Sequence, residues 1–259
     1  MATDQRTPAM RFYNPDWLDD ADLLAGFIAR RPLLAFLSDE LQRAPLHGTV
    51  THYLLVGVRG AGKMTLLKRL AVAIRQESAL ADHLIALSFP EELYEVKGLA
   101  DFWWAGCEAL ADELDRIGAR DQARQLENAI DARRQQSRPA DAHDAAGLQL
   151  LLAFCRDLQR RPVLLVDNLD FILRRIDKSG RKLNDPHAHA YWALREVLSK
   201  ADAPLMIAGS VRLSEPFTDY DKAFYDFFVP QRLGKLELNE VRDVFDHLAL
   251  HHGGEALRE

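Results

Sequence analysis

Cysteine is scarce: Cys107 and Cys155 are the only two in the chain. They are not spaced as metal ligands, and two cannot build a disulfide framework. Each falls on the apolar stripe of a predicted helix, the setting of a small buried hydrophobe in a reducing compartment. Long apolar runs are missing too. No window reaches the roughly 18 consecutive apolar residues that a membrane span needs. The start, Met1 to Met10, is polar and has no apolar signal-peptide core. These absences predict a cytoplasmic protein without a membrane partner. Positive charge is not in excess either. The net charge of −6 at pH 7 argues against a surface that clings to nucleic acid everywhere. A local basic patch stays open, and Arg174, Arg175, Lys178, Arg181 and Lys182 form one such cluster, which reads first as a solvated basic loop. No internal repeat is present.

What is there is a globular composition. The chain has 259 residues, 48% of them hydrophobic, with charged residues interspersed. That suits one α/β domain with a short appendage, or two small domains.

Strand-like and helix-like segments alternate along the chain. Asn14-Pro15-Asp16 opens a partly helical stretch through Ala29. Pro32 suits the first turn of a helix from Leu33 to Arg43, with Leu33, Leu34, Leu37 and Leu41 on its apolar face. Thr51 to Val56 is a short β-rich run that stops at glycine. A helix from Lys63 to Gln76 follows, with Leu66, Leu67, Leu70 and Ile74 on one side. Leu84 to Phe89 reads as a second strand. Leu99 to Ile117 is an amphipathic helix in which Trp103, Cys107, Leu110, Leu114 and Ile117 recur at helical spacing. Its two tryptophans read as packing residues. The polar stretch from Asp121 to Asp144 begins as helix around Ala123, Leu126 and Ile130, and becomes a loop or mobile insertion by Ser137-Arg138-Pro139. Leu148 to Arg160 is helical, with Leu148, Leu151, Leu152, Cys155 and Leu158 inward. Val163 to Val166 is an apolar strand. Asp185-Pro186 starts a helix that runs to about Lys200. Leu205 to Ala208 is another strand. Phe227 to Leu233 is the last, and Pro230 restricts it to an edge or a bulge. Asn239 caps a final helix through Leu250. This alternation predicts an α/β fold of three layers, a mostly parallel sheet with helices on both faces. His143, His187 and His189 have no partners that would make a metal site.

The chemistry-bearing run is Gly57-Val58-Arg59-Gly60-Ala61-Gly62-Lys63, between a predicted strand and a predicted helix. That is the context of a phosphate-binding loop. Successive backbone N–H groups along a glycine-rich path can nest phosphate oxygens, and the helix N-terminus adds partial positive charge. Lys63 would reach the β and γ phosphates. The position after it normally carries a hydroxyl that ligates Mg²⁺, but here it is Met64, a soft thioether ill suited to so hard a cation. Thr65 comes next, about 100° further round the helix. Val163-Leu164-Leu165-Val166-Asp167 has the form of a Walker B strand, whose carboxylate would hold the metal. Asn168 stands where a glutamate base is common. It can orient water but cannot take its proton. Asp170 is either a substitute base or a capping residue. Ser210 is either a polar group beside the γ-phosphate or an ordinary turn serine. Arg212 either reaches a phosphate or faces solvent.

Gly57 through Leu67, Val163 through Asp170 and Ala208-Gly209-Ser210 together resemble the AAA+/STAND group of P-loop ATPases. The likeness is to the branch related to origin-recognition initiators and to bacterial signalling and defence ATPases. Phe27-Ile28-Ala29-Arg30 is similar to the segment that cradles adenine in that group. Leu236 to Glu240 looks like the way into its helical lid. The resemblance covers the chain from about Phe27 onward. It implies a helical lead-in over residues 1–45, a nucleotide-binding domain over 46–237 with the polar insertion near 121–144, and the start of a truncated lid over 238–259. It also implies ATP or ADP and Mg²⁺ as ligands. Gly57, Arg59, Gly60, Ala61, Gly62, Lys63, Met64 and Thr65 would surround the nucleotide, with Asp167, Asn168 and Ser210 in catalytic positions. Self-association or an effector domain would be the partners. Three functions follow: a nucleotide-dependent switch with weak or impaired hydrolysis, a DNA-associated ATPase such as an initiator or transposition regulator, or a nucleotide-binding scaffold that does not hydrolyse. Met64 and Asn168 depart from the catalytic pattern and leave ATPase activity open.

Overall fold

The computed structural model describes residues 19–90, 96–136, 145–179 and 189–251. In chain order they form α1 (Asp20–Gly26), α2 (Arg31–Arg43), β1 (His52–Val56), α3 (Lys63–Gln76), α4 (Ser78–Ala81), β2 (Leu84–Ser88), α5 (Leu99–Arg116), α6 (Arg120–Gln136), α7 (Ala146–Asp157), β3 (Arg161–Val166), α8 (Leu169–Ser179), α9 (His189–Leu198), β4 (Leu205–Ser210), α10 (Glu215–Thr218), β5 (Phe228–Arg232) and α11 (Leu238–His251). The five strands form one sheet in the order β2-β3-β4-β1-β5, and every pairing is parallel.

Side chains on a strand alternate between faces, and each run from β1 to β4 is apolar on both. Leu54, Val56, Ile85, Leu87, Leu164, Val166, Met206 and Ala208 enter one core, with side chains of α5 to α9. Their neighbours Tyr53, Leu55, Leu84, Ala86, Val163, Leu165, Leu205 and Ile207 enter the other, with α2, α3 and α4. The three-layer α/β architecture expected from the sequence is therefore present. On α3, Leu66, Leu67, Leu70 and Ile74 are all buried. Each such leucine or isoleucine contributes about 1.5–3 kcal/mol of burial, which holds the helix behind the glycine loop against the sheet.

Pro230 lies on β5, which is an edge strand. The Leu233 N–H donates to Val56 O at 2.8 Å, so alternation turns Pro230 toward the outer edge. The missing donor interrupts the row of groups that another strand could pair with. Trp103 and Trp104 are core residues, and the Arg134 guanidinium covers the Trp104 ring. Cys107 and Cys155 are free and buried, and burial raises both thiols, Cys107 to about 12. Among the described residues no helix is long and apolar enough to cross a membrane.

The polar stretch is helical where Ala123, Leu126 and Ile130 predict it, through Gln136, and these three are buried in the core that α5 and α7 also line. Other elements differ from the sequence reading. On α7 the buried positions are Gly147, Leu150, Leu151 and Cys155, and Leu148, Leu152 and Leu158 are only partly buried. Gly147 sets this rotation: a Cβ there would come within 3.1 Å of the Trp104 backbone N. The run after Asp167 forms α8, whose Leu169, Ile172, Leu173 and Ile176 are buried. Asn239 lies inside the first turn of α11 instead of capping it. Glu240 accepts from the Glu237 N–H at 3.0 Å, the backbone half of a capping box. Asn14 to Asp16, Ser137 to Pro139, His143, Asp185-Pro186, His187 and the cationic positions Arg181 and Lys182 lie outside the described residues.

Candidate functional site

A parallel sheet brings the C-terminal ends of all its strands to one rim, where ligands of open α/β folds bind. The loop after β1, Asp167 and Asn168 after β3, and Ser210 at the end of β4 all lie on this rim. β4 stands between β1 and β3, so the loop and Asp167 come from strands that are not neighbours.

The glycine loop is built as the sequence demands. Gly57 still belongs to the sheet, its N–H donating to Ser210 O at 3.1 Å. A Cβ at Gly57 would sit 3.0 Å from Leu233 O and 3.1 Å from the Ala61 Cβ, so the close approach requires glycine. The Ala61 N–H turns back to Val58 O at 3.1 Å. Gly60 and Gly62 have φ of 78° and 89°, the left-handed region that side chains disfavour. Gly62 is the N-cap of α3 and supplies no side-chain cap, so the leading N–H groups of that helix are left for another acceptor.

Lys63 opens α3 and is 5% exposed. Its Nζ donates to Gly57 O at 2.7 Å and to Val58 O at 3.1 Å. Burial lowers its pKa, the charge of Asp167 raises it, and Arg59 lowers it. An ammonium ion held only by loop carbonyls, under this desolvation, would be stabilised by an anion. Arg59 itself is exposed at the loop's tip, and Ala61 is half-buried.

Met64 and Asp167 line the same cleft of about 520 Å³, together with Lys68, Arg75, Ser88 and Phe89. Its far end is built by Arg75, which makes a two-pronged contact with Glu113 at 2.9 and 3.0 Å and a further one with Asp20. Thr65 is half-buried on the first turn of α3, off the cleft wall that Met64 lines.

Asn168 has φ of 52°, and this turn aims its backbone N–H at Asp167 Oδ1, 2.9 Å away. The Asn168 carbonyl then accepts from the Phe171 and Ile172 N–H groups and starts α8. Asp170 is buried in that first turn. Its Oδ2 lies 2.6 Å from Ser210 Oγ, and its Oδ1 accepts from Ser214 Oγ at 3.0 Å. Ser210 is fully buried, also 2.6 Å from Arg212 O, and its one proton serves a single acceptor at a time. Arg174 lies 3.9 Å from Asp170 Oδ2 across one helical turn, and Arg175 lies over the Phe171 ring. These two members of the basic cluster are thus turned onto their own helix.

The segment Phe27 to Arg30 meets the chain beyond β5. Arg30 adopts φ of 64°, donates its backbone N–H to Glu240 Oε1 at 2.7 Å and its guanidinium to Gly234 O. The neighbouring Leu233 is the residue that touches Gly57, so lead-in, loop and α11 meet at one corner. Sequence reasoning missed two features here: the tie of Ser214 to Asp170, and the close approach of Asp167 to Gly209, for which the signal was a glycine at the end of an apolar strand.

No family model matches the sequence, and no curated protein sequence matches it. Among solved structures, the chain is similar to C. elegans PCH-2, with 15% identity and a TM-score of 0.31 over 94% of this chain and 51% of that one. It thus spans about half the length of that protein.

Proposed function

We propose that this chain is an ATP-binding domain that works as a nucleotide-dependent switch and hydrolyses slowly. The observation that carries the reading is the loop Gly57 to Lys63, with two left-handed glycines, an uncapped helix N-terminus and a buried ammonium ion within one turn. Together these recognise a polyphosphate. The corner of Phe27 to Arg30, Leu233 and α11 is where the base and a lid would sit, with residues 238–259 as the beginning of that lid.

The fit to Mg²⁺ is partial. Asp167 offers a carboxylate that lines the cleft beside α3. Among the described residues no group of three or more His, Cys, Asp or Glu could hold a metal. The ion would therefore depend on phosphate oxygens together with Asp167, a common arrangement for Mg²⁺. Bound there, it would neutralise charge on the phosphates. Met64 does not fit, since its thioether occupies the hydroxyl position. Asn168 cannot accept a proton. Asp170 is buried, with its Oδ1 accepting from Ser214 and its Oδ2 beside Ser210, which disfavours it as a substitute base. These three features favour slow turnover and keep the non-hydrolysing scaffold as the second reading. Phosphate release under saturating MgATP separates the two. Arg174 and Arg175 are engaged along their own helix, by Asp170 and the Phe171 ring, which gives the DNA-associated reading less support.

Calorimetric titration of ATP and ADP into wild type and Lys63→Ala tests the proposal, with circular dichroism to show that both are folded. A lost charge-assisted contact of about 1.5–3 kcal/mol should weaken binding roughly 10- to 150-fold. Equal affinity in the two proteins would refute it.

A further inference from the structure

Gly209 occupies the fifth position of β4, a strand in which every residue is buried. Glycine inside such a strand weakens it, so its presence calls for a cause. Its backbone is not the cause, because Gly209 is absent from the positive-φ glycines and an alanine could adopt its conformation. The obstacle is Asp167. A Cβ built on Gly209 would lie 2.2 Å from Asp167 Oδ1, 3.3 Å from its Cγ and 3.5 Å from its Cα. These are the three nearest heavy atoms, and all belong to that one residue.

The sheet register explains why they meet. Val166 is opposite Ala208, so the next residue, Asp167, comes level with Gly209. On the other side of β4, Gly209 is opposite Leu55 of β1, the strand that leads into the phosphate loop. The carboxylate of Asp167 thus leans over β4, on the side of β3 that faces the strand leading into the phosphate loop. From the other side the Asn168 N–H holds the same Oδ1.

We propose that Gly209 is a positioning residue: its missing side chain is the gap across which the Asp167 carboxylate reaches from β3 over β4 toward the phosphate loop. Any side chain at 209 pushes that carboxylate back. The steric claim stands on the geometry alone, and its consequence for Mg²⁺ rests on the nucleotide-binding reading above.

The test compares Gly209→Ala, Asp167→Ala and the double variant with wild type. In thermal unfolding without ligand, Gly209→Ala should lower the melting temperature of wild type. It should cost little in the Asp167→Ala background, where the clashing atoms are gone. In ADP titrations with and without Mg²⁺, Gly209→Ala should reduce the Mg²⁺ enhancement of affinity by about 10- to 100-fold, as loss of a support behind a metal ligand does, while leaving the Mg²⁺-free affinity at the wild-type value. An equal thermal loss in both backgrounds would overturn the proposal. So would Mg²⁺ enhancement that survives Gly209→Ala intact. If wild type binds ADP with no Mg²⁺ effect but the thermal coupling is found, the metal reading of Asp167 fails and the placement of its carboxylate by Gly209 stands.

Discussion

Met64 is the residue at which the site departs furthest from what a metal-assisted phosphoryl transfer requires. It lines the cleft beside Asp167, so a hydroxyl introduced there would meet the same space. Thr65 cannot substitute simply, because one residue along a helix points about 100° away. Met64→Thr is therefore expected to strengthen the Mg²⁺ dependence of nucleotide binding and to raise turnover. Misplacement in such sites costs about 100-fold in rate, which sets the scale of the gain. Asn168→Glu should help chiefly when threonine is already at 64, since base and metal act as a unit. Phosphate release over a Mg²⁺ titration, for wild type, both single variants and the double, measures this. Brisk wild-type turnover that Met64→Thr leaves unchanged would show position 64 to be irrelevant to the metal.

At the scale of elements, His52 joins three pieces of the fold at the rim opposite the site. Its Nδ1 accepts from the Met206 N–H of β4, and its Nε2 donates to Leu198 O at the end of α9, each at 3.1 Å. That tautomer is neutral, with both nitrogens satisfied. Burial lowers its pKa, the Leu198 carbonyl partly opposes this, and the nearby Arg161 charge lowers it further, to about 4 from 6.5. Between these values the folded protein binds fewer protons than the unfolded chain, so stability rises with pH. As pH falls from about 6.5 to 4, His52 should remove about 3 kcal/mol of unfolding free energy. Urea unfolding at pH 7, 5.5 and 4 should show this loss, and His52→Gln should flatten it. An identical pH slope in the variant would contradict the assignment. Sequence patterns carried much at this scale. The bounds of α3 were readable because a glycine cap precedes it and an unbroken apolar stripe follows. α8 was hard to read, because only Asp167 and Asn168 separate it from β3 and no glycine or proline marks the break, although Leu169, Ile172, Leu173 and Ile176 supply a helical face. Tertiary ties were equally hidden. Nothing in spacing announces that Arg161 donates to the carbonyls of Leu46, Gly48 and Ala203, or that Arg75 of α3 pairs with Glu113 of α5.

At the scale of the whole molecule, the parallel sheet sorts the chain into two ends. The end with the strand N-termini carries the buried ties of His52 and Arg161. The other carries the glycine loop, Asp167, Asn168 and Ser210. The residue types of this second end were legible in sequence, but their arrangement was not. The strand order with β4 between β1 and β3 is what makes Asp167 cross Gly209, and no local pattern states that order. The central claim is that a nucleotide binds at this rim through the phosphate loop. Hydrogen–deuterium exchange with and without saturating MgADP tests it most directly, because it reports where on the chain the ligand acts. The expected result is slowed exchange from Gly57 to Thr65 and around Phe27 to Arg30 and Leu233 to Glu240, with His52 and its surroundings unchanged. Unaltered exchange in Gly57 to Thr65 at saturating nucleotide, or protection confined to other segments, would contradict the claim.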